Sequence, residues 1–216
     1  MHGLSSQRVS LFLIACLVLT SISCNALVTQ NRPKQTKRAD SGFNKPIIMN
    51  EVREDISIEY YDIRGTTEEE LYQQMSELGP RDSDGNWFAK ANWAIDWDYP
   101  IPKGDSCEPV QVIAWVQYIL PRWVDKQEAP AELQIRWDAY ELRLKQHEEH
   151  HKDIVVKYGR QFIAEIKKID DYSSCKELEE RIGAIHATGI IINACTQEQT
   201  QYDQDTNHGV DEGVIL

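Results

Sequence analysis

An α+β fold is what this sequence predicts, and three observations carry the prediction. Apolar residues recur at steps of three and four from Leu133 to Ile169, one face of a long helix. Upstream, residues 91–99 alternate apolar and polar like a half-buried strand, and residues 110–120 are apolar on both faces like a central one. A second helical period follows Ser174. The expected architecture is a small, mostly antiparallel sheet packed on the long helix, with a second C-terminal helix beside it.

The first residues read as a targeting segment. Arg8 precedes an apolar run over 9–19, and small residues follow at Thr20, Ser21, Ser23 and Ala26. This is the layout of a secretory signal peptide over 1–26, with a run too short to span a bilayer. Cleavage after Ser23 or after Ala26 fits equally. The former would leave Cys24 first and open to a lipid anchor, although Ser21 stands where such anchors carry Leu or Val. About 190 residues remain, enough for one domain with a sizeable core. The net charge of −12 and the lack of a Lys/Arg stripe argue against nucleic acid as a partner.

Residues 27–55 read as a flexible linker, polar and basic around Arg32-Pro33-Lys34. The folded part is expected over 56–216. It opens with a strand at Ile56, Ile58 and Tyr60, and Thr66 with Glu69 forms a capping-box pattern for a helix over 67–78, stopped by Gly79-Pro80. Ala91, Trp93, Ile95, Trp97 and Tyr99 share one face of the next strand. After the loop 121–130, Pro130 sits where a first helical turn accepts proline.

In the long helix, expected at about 38 residues, the apolar steps lapse between Leu144 and Ile154, and His147 and His151 fill the gap in phase. The last helix is expected to run from Ser174 through Leu178, Ile182, Ile185, Gly189 and Ile192, leaving 201–216 as a polar tail.

The two histidines belong to His147-Glu148-x-x-His151. Imidazoles four residues apart stand one above the other, so both reach one ion, and zinc suits them. The glutamate beside them can take a proton from an activated water, which makes it a general base. Two buried histidines without partners would each cost about 1–3 kcal/mol, a cost that a metal or a carboxylate removes. His150 lies off this face and reads as a solvated surface residue. A catalytic zinc site needs a third protein ligand. His208 in the tail, Glu179 or Glu180 on the last helix, and His186 more weakly, are the candidates.

The segments Tyr60-Tyr61-Asp62-Ile63-Arg64-Gly65, Trp93–Tyr99, Leu120-Pro121-Arg122-Trp123, the His147–His151 helix, Cys175-x-x-Leu178 and Tyr202-Asp203-x-x-Thr206-x-His208-Gly209-x-x-x-Gly213 occur in this order. Together they resemble a family of predicted secreted zinc-dependent proteases, found mainly in bacteria and catalogued as a domain of unknown function. The resemblance covers about residues 56–216. It implies a zincin-like fold, a zinc metallopeptidase acting on peptides or proteins, and a periplasmic or extracellular location. It implies His147, His151 and His208 as ligands and Glu148 as general base. Tyr202 or Arg122 is named as oxyanion stabiliser from residue type. Of the cysteines beyond the signal segment, Cys107 and Cys175 are the expected disulfide, which an export compartment favours. Membrane contact would be confined to a lipid on Cys24. The rival functions are a non-catalytic zinc-binding or structural envelope protein, and a cell-wall amidase using the same residues.

Overall fold

Two histidines stand on the buried face of the long helix because of what packs on either side of them. The computed structural model describes residues 43–81 and 85–216. The expected signal segment 1–26, Cys24 and the linker up to residue 42 lie outside the described residues.

Residues 43–52, expected as linker, are instead docked. Asn44 bridges Ser106 and Ile48 bridges Val110, and Ile48 and Val52 pack against the core. The folded region therefore starts before Ile56, because these apolar side chains find burial there.

Three strands form the main sheet, in the order β1 (Arg53–Ile63), β5 (Val112–Trp123), β2 (Lys90–Trp97). β2 pairs antiparallel with β5, placing Ala91 opposite Tyr118 and Ile95 opposite Ala114. β1 pairs parallel, with Ile56 beside Val116 and Ile58 beside Tyr118. The sheet is thus mixed rather than mostly antiparallel. The chain between β1 and β5 includes helix α1 (Glu68–Leu78) and β2, long enough for the crossover that a parallel pair requires. β5 is central as expected, but over residues 112–120 only one face is well covered among the described residues. Val112, Ala114, Val116 and Leu120 are buried, whereas Trp115 is 36% exposed. A small hairpin, β3 (Pro102–Lys103) with β4 (Ser106–Cys107), stands apart from this sheet.

The cap of α1 is one residue later than the sequence suggested. The Thr67 side chain accepts from the Glu70 N–H, and the Glu70 carboxylate accepts from the N–H groups of both Thr66 and Thr67. Glu70 satisfies two backbone donors at once, an advantage the Thr66–Glu69 pairing lacks.

The long helix α2 (Ala131–Ile166) joins two cores. Its first half, with Trp137, Tyr140 and Leu144, packs on Ile63, Leu71, Met75 and Trp123. Its second half, with Ile154, Tyr158 and Phe162, packs on β5 and on Leu178 and Ile182 of α3 (Cys175–Ala187). His147 and His151 lie at the seam between these cores, where the apolar face lapses for two turns.

The last helix is two helices. Gly189 takes a left-handed φ of +68°, which ends α3, and α4 (Ile190–Asp205) starts in a new direction. Thr188 serves both ends, donating to the Ile185 carbonyl and accepting from the Ile190 N–H. Residues 201–205, expected as tail, are the last turns of α4. Cys107 and Cys175 form a disulfide with Cα atoms 5.7 Å apart, tying the β3–β4 hairpin to the start of α3. No helix among the described residues is long and apolar enough to cross a membrane.

Candidate metal centre

Three donor atoms converge at the seam of α2. His147 Nε2 and His151 Nε2 are 3.3 Å apart, and Asp203 Oδ1 lies 3.3 Å from the first and 3.1 Å from the second. Both histidines are almost fully buried, and Asp203 is half-buried. Tetrahedral zinc with bonds of about 2.0–2.1 Å sets its ligand atoms about 3.3 Å apart, so the spacing fits such an ion.

α4 brings Asp203 here. Cys195, Gln199 and Asp203 follow at steps of four, and Tyr202 and Thr206 lie beside them on the face turned toward α2. His208, expected as the third ligand, stands elsewhere. Its ring packs on Trp87 with centroids 4.8 Å apart, at the wall of the same cavity, and it is not within the converging set. Glu179 and Glu180 are on α3 and do not line the cavity, and His186 packs on Trp97 and Phe162.

The outer ring nitrogens fix which protons the imidazoles carry. Gln199 donates its amide N–H to the backbone carbonyl of His151 at 2.9 Å, which leaves its oxygen to accept from His151 Nδ1–H. Glu212 accepts from His147 Nδ1–H at 2.9 Å and also from the Tyr202 hydroxyl at 2.8 Å. Both Nε2 lone pairs therefore point inward, toward each other and toward a carboxylate. Three such acceptors at this distance repel one another unless positive charge lies between them. Without a cation, protons must serve. Burial would depress both imidazoles, yet the Asp203 carboxylate beside them holds them above their ordinary pKa. Burial likewise opposes ionisation of Asp203, but the hydrogen bonds from both rings hold its carboxyl well below the usual range.

Glu148 is 5% exposed and lines the cavity beside the donors without joining them. Burial pushes its carboxyl up, while the histidines and an Ala91 N–H bond favour the ionised form. Ala91 belongs to β2, an edge strand, so a sheet edge borders the site. Tyr202 stacks between His147 (centroids 4.9 Å) and His150 (4.0 Å), so His150, exposed as expected, has an aromatic partner. Arg122 pairs with Asp62 at 2.6 Å and does not line the cavity.

The segment after α4 is shaped by the same requirement. Asn207 and His208 have φ of 49° and 53°, and Gly209 follows at 84°. The Thr206 hydroxyl ties this turn, donating to the Tyr202 carbonyl and accepting from the Gly209 N–H. A Cβ on Gly209 would lie 3.2 Å from the His147 ring and 2.7 Å from Val214. Thr206 and Gly209 thus shape the wall against His147, and the turn leads into Glu212.

The residues that sequence reasoning missed are Gln199, Asp203 and Glu212. The four-residue step from Cys195 to Gln199 to Asp203 was the available signal, hidden by placing the helix end at Ile192. Among known proteins, the family described as bacterial protein of unknown function (DUF922) matches residues 58–209. No curated protein and no solved structure matches the chain.

Proposed function

The chain belongs to the DUF922 family of bacterial proteins of unknown function, and from that premise we propose that it is a zinc-dependent peptidase. The observation that carries this reading is the inward convergence of His147 Nε2, His151 Nε2 and Asp203 Oδ1 beside a buried glutamate that is not one of the three.

His147, His151 and Asp203 would hold the ion. Bound zinc supplies a Lewis acid that acidifies water and polarises a carbonyl. The rest is work of the chain. Gln199 and Glu212 keep both imidazoles in the tautomer that offers Nε2, and their acceptor oxygens raise the basicity of the rings. Glu148, held by the Ala91 N–H, accepts the proton of the attacking water and returns it to the leaving amine nitrogen. β2 is an edge strand of the sheet among the described residues, and its outer side can pair with an extended substrate backbone, which would bring a peptide carbonyl past Glu148. Oxyanion stabilisation by Tyr202 has less support, because its hydroxyl is bonded to Glu212.

Export to the periplasm or the exterior is part of the same proposal, supported by the Cys107–Cys175 pair, which suits an oxidising compartment. The protein isolated from its native host should lack the first 23 or 26 residues by intact mass; a chain retaining Met1 would reject export by this route.

The test of the activity is metal content with turnover. Purified protein should bind one zinc per chain and cleave an unfolded protein. A chelator should stop cleavage and added zinc should restore it. Stoichiometric zinc with no cleavage of protein or cell-wall peptide bonds would leave a non-catalytic metal protein instead.

A further inference from the structure

The proposed chemistry occupies one end of a cavity of about 590 Å³, a volume in the range of pockets that enclose a whole small ligand. The other end follows α2 back from the donors, past Leu144 to Tyr140, and is lined by Tyr72, Phe88 and Val214, with Ile215 at its rim. Its polar handles are already used. The Tyr140 hydroxyl bonds Met75 Sδ at 3.4 Å, and the Tyr72 hydroxyl accepts from the Leu216 N–H at 3.3 Å. The rings of Tyr72 and Phe88 lie 5.8 Å apart and add aromatic carbon. A charged side chain placed in this end would lose its hydration and find no partner among these six residues.

We propose that this apolar end selects the substrate. It takes a large apolar or aromatic side chain from the residue that carries the leaving nitrogen. The inference rests on the peptidase reading. The side of the bond follows from Glu148, which in that reading must reach the leaving nitrogen. Tyr140, Leu144 and Glu148 follow at steps of four on α2 and line the same cavity, so the carboxylate stands one turn from the apolar end. The residue whose nitrogen Glu148 protonates is therefore the one whose side chain turns toward Tyr140 and Leu144. Burying such a side chain contributes enough to separate it from glycine by at least about tenfold.

The test uses the zinc-loaded full chain and two readouts. Cleavage sites in reduced, alkylated casein, mapped by mass spectrometry, should fall before Phe, Leu, Tyr or Met at least tenfold more often than before Gly, Asp, Glu or Lys. Binding of a succinic acid monohydroxamate that carries a benzyl group on the carbon next to its free carboxylate, where the side chain after the scissile bond would lie, should be at least tenfold tighter than that of the unsubstituted monohydroxamate, whether or not casein is cut. Ile215→Asp, at a position 58% exposed and so tolerant of a polar residue, should reduce both ratios severalfold with zinc content unchanged. Ala89→Phe, which adds bulk to the cavity lining, should do the same. Cleavage without side-chain preference would overturn this inference and leave the peptidase reading intact. Zinc binding and hydroxamate discrimination without any cleavage would keep the apolar subsite and end the peptidase reading. Equal hydroxamate affinities, ratios unmoved in both variants, or a failure to bind zinc would overturn the subsite.

Discussion

Glu148, Asp203 and Gln199 lie close together at one site, yet replacing each should have a different consequence. Glu148 is beside the donor set and not in it, so Glu148→Gln should keep zinc and lose hydrolysis by about 10²–10⁴-fold, the usual contribution of a general base. Zinc per chain and turnover, measured on the same preparation, check this; normal hydrolysis would end the peptidase reading. Asp203→Ala should lose stoichiometric zinc, because two imidazoles alone hold the ion poorly, whereas His208→Ala should retain it. The opposite pattern would return the third ligand to the turn after α4. Gln199→Ala frees the His151 ring to change tautomer and should weaken zinc about 10–100-fold, read by competition with a chelating dye.

At the scale of an element, the turn after α4 and the cap of α1 show how local geometry is fixed. Gly209 combines a left-handed φ with a close approach to His147, so Gly209→Ala must either strain the turn or displace the ring. Weaker zinc binding is expected, with little loss of helix content by circular dichroism. The α1 cap responds to pH. Two backbone N–H bonds hold the Glu70 carboxyl below the usual carboxylate range in the folded chain. Its contribution is complete above about pH 5, where the unfolded carboxyl is also ionised, and fades as pH falls through the folded value. The stability difference between the wild type and Glu70→Gln should therefore shrink on acidification, as urea unfolding at several pH values would show.

Across the whole molecule, the metal and the disulfide secure different places. The disulfide closes a span of 68 residues between the β3–β4 hairpin and the start of α3. Its reduction should cost about 2–4 kcal/mol, visible as a lower urea midpoint for a Cys107→Ser/Cys175→Ser chain. Zinc would act at the other join, where α4 meets α2 between the two cores. It stabilises the folded state through the affinity it has for that state alone, so Tm should rise with free zinc and fall with a chelator.

The sequence alone determined what is local and periodic. The phase of His147 and His151 on α2 follows from the 3.6-residue repeat that also sets Leu144 and Ile154, and the central place of β5 follows from its apolar run. Those readings needed no knowledge of partners. Tertiary structure decided everything that depends on which surfaces meet. The direction of β1 is set by a crossover, and the exposure of Trp115 by the absence of a second layer among the described residues. Most of all, the identity of the third donor depends on a break at Gly189 that turns α4 back along α2. That turn brings Asp203 between the two imidazoles and leaves His208, five residues on, against Trp87. A carboxylate on a polar helix carries no mark of the neighbours it will meet, because its burial is created only when the second helix packs on the first.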